Sequence, residues 1–397
     1  MPRFEPFAGV RYAPGVDLDA ATSPPYDVID AAERAALAAR HPANAVLFDL
    51  PEEADGPGRY DAAAATFDRL RAERVLRDDP SPAFYVYRMS YTDEAGRARH
   101  TTGVLGALEL SRPGEGDILP HEHTTPKAKS DRLDLLRSTG FNLSPIWGLS
   151  LAPGLAAACT PDADADGGCI DADGVRHELW RVDDPARVAT IRDLVASTPV
   201  VVADGHHRYE TSLAYRDERR AVDGEGGDWD ATLALIVELT PDELAVRPIH
   251  RLLHGLPAGV DLPAAFGGHF DVTPVEPDDQ LTQRMTSVGA LALVVPDGRA
   301  WLLEPLTGAF PAGLPDLDSA RLATALADLP PHEVEYQHGV ANVLDRVHSG
   351  AASAGVLLRP ASVEQIAATA HGGERMPPKT TFFWPKPRTG FVFRSLR

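Results

Sequence analysis

The chain has 397 residues, 44% of them hydrophobic and 24% charged, which is typical of a globular protein with a sizeable buried core. Its formal net charge is −20, and lysines and arginines form no long run, so we expect no nucleic-acid partner. No stretch of about 18 apolar residues occurs, and the first residues lack the pattern of a signal peptide. We therefore expect a cytoplasmic protein with no membrane association.

The first part of the chain alternates helices and strands. Prolines and glycines favour an extended backbone before residue 30, and Asp30 then caps a predicted helix over residues 31–40. The further elements predicted here, in chain order, are a strand over 45–50, a helix over 59–77, and strands over 84–91 and 101–110 that form a hairpin.

In the middle of the chain, residues 152–177 are rich in small residues, aspartate and glycine. This composition predicts a surface loop. Its aspartates resemble a calcium loop but lack the glutamate at the twelfth position, so we expect no calcium. Cys159 and Cys169 are predicted to be free thiols. The neighbouring elements are a helix over 130–138, strands over 145–151 and 198–203, a helix over 185–197, a helix that ends near 222, and a strand over 231–239.

The last part of the chain predicts an α+β module without a polar cluster that suggests chemistry. We divide the chain into a motif-bearing core, residues 1–255, and a second part, residues 256–397, whose segment 375–388 is predicted to return to the site. The prolines of that segment exclude a regular helix. The elements predicted in this part are strands over 291–295 and 300–304 and helices over 318–328 and 339–348.

The first candidate site is the segment VVVADGHHRYET, in which an apolar strand leads through a glycine turn into a helix. Gly205 permits a positive φ, and the backbone N–H groups at the start of a helix bind anions. Arg208 can hold phosphate oxygens in a bidentate manner, while His206 and His207 add donors or proton transfer. Asp204 is a candidate ligand for Mg²⁺ or a group that orients a nucleophile. The alternative is a polar turn with surface histidines.

The second candidate site is the segment LPHEHTTPKAKSDR, which combines potential general bases with cations that neutralise phosphate. His121 and His123 lie on one side of an extended chain, and Glu122 lies on the other. The two histidines also permit a metal site that His206 or His207 completes, although the spacing is not that of HExxH. An exposed loop is the remaining alternative. The other chemically useful residues here are Lys127, Lys129, Asp131 and Arg132.

Weaker signals are scattered along the chain, and each alone is more typical of packing or of a solvated charge. No P-loop, no GxGxxG after a strand and no GxSxG is present, so we expect no flavin, haem or NAD. The weaker candidates are Tyr26, Asp27, Asn142, Ser144, His250, Arg251, Lys379 and Lys386.

Seven motifs together resemble the bacterial and archaeal domain-of-unknown-function 1015 family nearly from end to end. They are FEPFAGVRY, SPPYDV, LPHEHT, KSDRLDLLR, NLSPI, ADGHHRYET and MPPKTTFFWPK. The sequence departs from the family pattern at Ala128, where proline is expected, and at Trp384, where tyrosine is commoner.

The DGHHR motif, Asp204–Arg208, also resembles the phosphate-binding motif of the ParB/sulfiredoxin superfamily, which includes free serine kinases. The resemblance implies an α+β fold with a ParB/sulfiredoxin-like phosphate-binding core. It further implies a nucleotide-dependent small-molecule kinase, with free L-serine as a candidate substrate and Mg²⁺ with ATP or ADP as cofactor. Partners are then a nucleotide and a small molecule, and a homo-oligomer is left open.

These inferences assign three groups of residues. The catalytic candidates are Glu122, chosen by residue type, with Asp204 and His207. The phosphate-binding candidates are Gly205, His206, Arg208, Lys127, Lys129 and Arg132. The substrate-binding candidates are Tyr26, Asp27, His121, His123, Asp131, Asn142 and Lys379. A metal-dependent hydrolase that uses the two histidine clusters and a non-catalytic, ParB-like nucleotide-binding regulator remain as alternative functions.

Overall fold

The computed structural model describes residues 1–52, 58–93, 96–120, 126–371, 376–377 and 379–397. Helices and sheets are mixed along the chain, which confirms the predicted α+β class. The chain forms two compact units: the first comprises Met1–Ala245 and Pro385–Arg397, and the second comprises Val246–Trp384. The domain limits at 255 and 256 stay a prediction.

The strands are β1 (Phe4–Glu5), β2 (Gly9–Tyr12), β3 (Leu76–Asp78), β4 (Phe84–Thr92), β5 (Ala98–Glu109), β6 (Ile118–Pro120), β7 (Phe141–Asn142), β8 (Ile146–Ser150), β9 (Gly167–Ile170), β10 (Arg176–Val182), β11 (Val200–Asp204), β12 (Ala231–Glu238), β13 (Ala245–Pro248), β14 (His250–His254), β15 (Phe270–Val275), β16 (Leu291–Val294), β17 (Ala300–Pro305), β18 (Glu333–Gln337), β19 (Ala354–Leu357), β20 (Thr381–Trp384) and β21 (Phe393–Ser395).

The α-helices are α1 (Leu18–Ala21), α2 (Ala31–Arg40), α3 (Val46–Asp49), α4 (Arg59–Ala72), α5 (Pro126–Thr139), α6 (Leu155–Ala158), α7 (Pro185–Ala196), α8 (His206–Asp223), α9 (Leu262–Phe266), α10 (Leu281–Val288), α11 (Asp318–Leu326), α12 (Val340–His348) and α13 (Val363–His371). Short 3₁₀ turns lie at Tyr26–Val28 and Asp228–Asp230.

A nine-stranded sheet forms the framework of the first unit. Its strand order is β6-β11-β8-β12-β5-β4-β10-β9, and β1 pairs with β5. Val200 and Val202 of β11 lie in one core cluster with Ile191 of α7 and Tyr209 of α8. Because strand side chains alternate between faces, Val201 is also buried, but on the other face of the sheet. Burial on both faces makes β11 a rigid base for the turn that follows it.

A smaller sheet with the order β3-β2-β21-β7 brings the C-terminal strand into the first unit. Phe393 of β21 packs with Phe48 of α3, Phe67 of α4 and Phe141 of β7 in an aromatic cluster. Leu396 near the C-terminus packs with residues of α5 and α8. The last residues of the chain are therefore part of the core that supports α5 and α8.

The second unit is built on a six-stranded antiparallel sheet with the order β15-β17-β16-β19-β14-β18. Along β16, Leu291 and Leu293 lie in a core cluster with α9 and α11, whereas Ala292 and Val294 lie in another cluster with α10 and α12. This alternation places helices on both faces of the sheet. Strands β13 and β20 form a separate two-stranded sheet.

Several predicted elements are confirmed. Helix α2 has the predicted limits, and the Asp30 side chain accepts a hydrogen bond from the Glu33 N–H at 2.8 Å. Strands β4 and β5 form the predicted antiparallel hairpin. In the second unit, β16, β17, α11 and α12 lie where the sequence predicts two strands and two helices.

Other predictions about local structure are wrong. Residues 45–50 were predicted as a strand, but Val46–Asp49 form helix α3, where the Asn44 side chain accepts a hydrogen bond from the Val46 N–H at 2.9 Å. A short, buried apolar run has the same sequence pattern in a helix as in a strand, so its periodicity does not distinguish the two. The predicted loop 152–177 contains α6 and β9, and the helix predicted over 59–77 ends at Ala72, before β3.

Candidate functional site

The DGHHR motif forms a turn between β11 and α8. Strand β11 shifts its register beside β8 between Val202 and Asp204, and such an irregularity re-aims the side chains that follow it. Gly205 then has φ 84° and ψ 28°, a left-handed conformation that strains any residue with a Cβ atom. A Cβ atom there would also lie 3.1 Å from the Arg208 guanidinium. Glycine therefore lets β11 turn directly into α8.

Helix α8 begins at His206 and has 18 residues. Within the described residues no side chain caps its N-terminus, where the first turn of any helix carries N–H groups without intrahelical partners and a partial positive charge. His206 is buried and His207 is half-buried. The turn thus has the backbone geometry of an anion site.

Asp204 lies between two cations at this turn. Lys386 Nζ donates to Asp204 Oδ1 at 2.6 Å, and Arg208 Nη2 donates to Oδ2 at 3.2 Å. Burial raises the pKa of the Asp204 carboxyl, but Lys386 and Arg208 more than offset this and hold the pKa well below its usual range. Asp204 is therefore ionised and fixes both cations in place.

Two of the three nitrogen atoms in the Arg208 guanidinium group donate hydrogen bonds that hold it in place. Nη1 donates to the Pro145 carbonyl, and Nη2 donates to Asp204. The side chain is 9% exposed. Its buried Nε has no hydrogen-bond partner among the described residues. One N–H of a rigid cation is thus left for another acceptor.

A second buried ion pair lies beside the first. Arg132 of α5 donates to both the carbonyl and a carboxylate oxygen of Asp49, each at 2.5 Å. The Arg132 guanidinium lies 3.9 Å from the centroid of the Tyr26 ring, and that of Arg208 lies 5.8 Å from it. Burial raises the pKa of Tyr26. Tyr26 therefore presents a neutral ring to two guanidinium groups.

The largely buried charges of these two pairs do not balance. Lys386, Arg208 and Arg132 carry three positive charges, whereas Asp204 and Asp49 carry two negative charges. The excess positive charge and the start of α8 both favour an anion.

The remaining predicted residues have diverse surroundings. Asp131 accepts hydrogen bonds from Arg59 and Tyr60 at 2.8 and 2.7 Å, and Asp27 is exposed. The buried side chain of Asn142 accepts a hydrogen bond from the Leu233 N–H at 2.9 Å, so it joins β7 to β12.

Other predicted residues are placed elsewhere or lie outside the description. Lys379 belongs to the second unit, is exposed, and accepts a hydrogen bond from Arg251 at its carbonyl. In the segment LPHEHTTPKAKSDR, three predicted residues lie outside the described part of the chain: His121, Glu122 and His123. Lys127 and Lys129 lie within α5, and their side chains also lie outside the described part. Their assigned roles stay predictions.

The sequence predicts two candidate metal sites, one at the histidine clusters and one at Asp204. In residues 1–52, 58–93, 96–120, 126–371, 376–377 and 379–397, no three His, Cys, Asp or Glu side chains are grouped to hold a metal ion. Both oxygens of Asp204 already accept hydrogen bonds from cations. The assignment of Mg²⁺ to Asp204 therefore stays a prediction that requires Lys386 or Arg208 to move.

Two further expectations concern thiols and membranes. Cys159 and Cys169 are both free and buried, and burial raises the pKa of Cys159 to about 12, so this thiol is unreactive at neutral pH. Among the helices of the described residues, none is both long enough and apolar enough to cross a bilayer.

Sequence reasoning gave too little weight to Lys386, which it treated as a weak signal. Lys386 lies 182 residues from Asp204 along the chain, and no local pattern links them. The density of lysine, proline and aromatic residues in 375–388 was the available signal. Asp49, the partner of Arg132, was missed because its segment was predicted as a strand.

Comparison with known proteins gives the following relatives. A family model described as "Protein of unknown function (DUF1015)" matches residues 4–326. No curated protein sequence matches the chain. Among solved structures, free serine kinase in complex with AMP is 13% identical with a TM-score of 0.40, covering 70% of this chain and 88% of that one.

Two further solved structures are similar at the same level. A conserved hypothetical protein from Pyrococcus furiosus is 13% identical with a TM-score of 0.36, covering 70% of this chain and 92% of that one. SbnI with C-terminal truncation from Staphylococcus aureus is 14% identical with a TM-score of 0.40, covering 72% and 85%. Since the family model spans most of the sequence and includes the DGHHR motif, this chain belongs to the DUF1015 family.

Proposed function

We propose that this protein is a nucleotide-dependent kinase that phosphorylates a small hydroxyl-bearing molecule, with free L-serine as the first candidate. The observation that carries the proposal is the position of Asp204, ionised between Lys386 and Arg208 at the start of α8, which no side chain of the described residues caps. Catalysis of phosphoryl transfer consists mainly of positioning and charge neutralisation. A fixed group of cations at a helix N-terminus supplies both.

In this proposal the N–H groups at the start of α8 and the cations Arg208 and Lys386 bind the nucleotide phosphates. Asp204 acts as a positioning residue, because a carboxylate with so low a pKa is a weak base. The substrate hydroxyl oxygen attacks the terminal phosphorus, the bond to the bridging oxygen breaks, and the shortened nucleotide leaves. His207 and Glu122 are the proposed acceptors of the hydroxyl proton. Mg²⁺ would enter with the nucleotide and neutralise phosphate charge.

The proposal is tested by incubating the full chain with ATP or ADP, Mg²⁺ and single amino acids, and detecting products by ³¹P NMR. We expect a phosphomonoester resonance in at least one mixture and the loss of that product in Lys386→Met. An Arg97→Met variant is the control, because Arg97 is 71% exposed and forms an ion pair with Asp93 across a surface turn. Its product yield should equal that of the unmodified chain.

Other outcomes would favour the two alternatives. Nucleotide binding without any phosphorylated product would favour a regulator. Stoichiometric zinc, iron or manganese in the purified protein, together with release of inorganic phosphate, would favour a metal-dependent hydrolase. Active, metal-free protein would exclude that hydrolase.

A further inference from the structure

A small cavity of about 30 Å³ lies between α5 and α8, next to the DGHHR motif. Arg132 of α5 and Arg208 of α8 line it, as do residues of the segment between β7 and β8 and of β12. A cavity needs about 10–15 Å³ for each water-sized centre, so this one has room for about two such centres. It can hold the polar end of a small molecule but no nucleoside.

Three buried polar atoms belong to residues that line this cavity. They are Ser144 Oγ, Thr211 Oγ1 and Arg208 Nε, and none has a hydrogen-bond partner among the described residues. The three residues are 7%, 4% and 8% exposed. Buried polar groups without partners cost free energy and are rare in native proteins, so three of them in residues that line one cavity favour a ligand or ordered water there.

The lining residues also include two further hydroxyl groups and apolar side chains. Ser212 Oγ and Thr232 Oγ1 lie 3.0 Å apart and share one hydrogen bond, which leaves one of the two hydroxyl hydrogens as a further donor. Leu135 and Phe141 also line the cavity. The lining therefore combines potential donors to a small oxyanion with apolar side chains.

We propose that this cavity binds the carboxylate of a small hydroxy or amino acid, which is the acceptor in the kinase proposed above. Arg208 Nε and the hydroxyls of Ser144 and Thr211 would donate to that carboxylate. Arg132 and Arg208 both line the cavity, and their positive charges favour an anion there.

Arg208 belongs to both the proposed phosphate site and the proposed carboxylate site. Nη2 of its guanidinium faces Asp204 at the DGHHR turn, and its Nε remains for the cavity. A carboxylate on Nε and a phosphate at the turn would therefore lie on neighbouring edges of one planar group. This geometry brings the acceptor close to the transferred phosphoryl group. The assignment of the acceptor role rests on the proposed function, whereas acid binding in the cavity can be measured by itself.

The test is a calorimetric titration of the full chain with L-serine, L-alanine, D-glycerate and inorganic phosphate, each with and without ADP and Mg²⁺. We expect at least one of the three acids to bind saturably. Thr211→Val and Ser144→Ala should each weaken that binding about 10-fold, as expected when a hydrogen bond to a charged group is lost. Neither substitution should change the affinity for ADP.

Thr190→Val is the matched control, because Thr190 is exposed on α7 and its hydroxyl donates to the Ala186 carbonyl of its own helix. It should bind the acids like the unmodified chain. Thr211→Val should also keep the thermal midpoint, since it replaces a hydroxyl without a described partner by a methyl group of similar size.

Three results would overturn the cavity assignment: no acid binds under either condition, the acids bind equally to Thr211→Val and Ser144→Ala, or only phosphate depends on these hydroxyls. If one of these results is obtained but ADP still binds, the cavity assignment fails and the proposed kinase function stands. If an acid binds in a Thr211-dependent manner but no nucleotide binds, the cavity assignment stands and the kinase fails.

Discussion

Each unit of this protein has an aspartate at the start of a helix, yet the two carboxylates have different surroundings. In the second unit, Asp318 accepts three hydrogen bonds from Arg359, at 2.9 Å from its N–H, 3.0 Å from Nε and 2.6 Å from Nη2. In the first unit, Asp204 is shared between Lys386 and Arg208, which come from separate segments.

This difference separates a structural pair from a candidate binding site. One carboxylate and one guanidinium satisfy each other, so the Asp318–Arg359 pair has no net charge and fixes the chain. The Asp204 cluster lies next to the Arg132–Asp49 pair, and together they keep one positive charge in excess. A buried excess charge costs free energy unless a ligand of opposite charge neutralises it. Substitutions at the Asp204 cluster and at the Asp318–Arg359 pair should therefore have different effects.

The largest expected effect is that of Asp204→Asn. The substitution leaves Lys386 and Arg208 without their carboxylate, and removing one partner of a buried ion pair costs about 3–5 kcal/mol. The free energy of unfolding should fall by that amount in urea titrations.

An exposed aspartate supplies the control for this variant. Asp193 is 77% exposed and lies 3.7 Å from Arg192, so Asp193→Asn should cost at most about 1 kcal/mol. Equal losses in the two variants would show that Asp204 is no more important to stability than a surface charge.

The second effect is a dependence of stability on pH that arises in the second unit. His250 is buried, its Nδ1 accepts a hydrogen bond from the Leu358 N–H at 3.1 Å, and burial together with Arg251 lowers its pKa from 6.5 to about 4. Between those values the unfolded chain binds a proton that the folded state does not. Stability should therefore fall by about 3 kcal/mol as the pH drops from 6.5 to 4.

His250→Asn isolates this contribution, because the amide oxygen can accept the same hydrogen bond without titrating. The difference in unfolding free energy between the two proteins should change by about 3 kcal/mol across this pH range. A constant difference would contradict the lowered pKa of His250. The low pKa of Asp204 acts in the same direction but at lower pH: that carboxylate stays ionised between pH 6.5 and 4, and its contribution to stability is lost only on further acidification.

The third effect concerns the balanced pair. Arg359→Met removes two side-chain donors from Asp318 but leaves the backbone N–H in place, so we expect a loss of about 2–3 kcal/mol, less than for Asp204→Asn. Nucleotide affinity should not change. A nucleotide that binds more weakly to Arg359→Met, as measured by calorimetry, would contradict the distinction between the two regions.

The smallest effect concerns the turn. Gly205→Ala places a Cβ atom on a left-handed residue and should cost about 1–2 kcal/mol. Gly154→Ala is its control, since Gly154 also has a left-handed conformation but has open space around the added atom. Both variants should lose similar stability in urea titrations, whereas only Gly205→Ala should weaken nucleotide binding. Equal nucleotide affinity in the two variants would count against the turn as a phosphate site.

Local features were predictable from the sequence where short-range chemistry determines them. Asp30 caps α2 through its own side chain, and the β4–β5 hairpin joins strands that are neighbours in sequence. The strand–Gly205–α8 turn belongs to this class, because φ and the helix start depend on adjacent residues.

Long-range pairing was not predictable in the same way. Lys386 is brought to Asp204 only because β21 joins the small sheet of the first unit, and Arg132 finds Asp49 83 residues away. Helix α3, which carries Asp49, was predicted as a strand because a buried apolar run has no distinguishing period. Asp204, Arg208 and Arg132 were therefore visible as candidates in the sequence, whereas their pairing with Lys386 and Asp49 was not.

The most direct test of the central claim is a calorimetric titration of ADP with Mg²⁺ into the unmodified chain, Lys386→Met and Arg359→Met. The account predicts one saturable site whose affinity falls about 10-fold in Lys386→Met, a loss of about 1.4 kcal/mol, and does not change in Arg359→Met. No binding to the unmodified chain, or equal affinity in all three proteins, would contradict the assignment of the Asp204 cluster as a nucleotide-phosphate site.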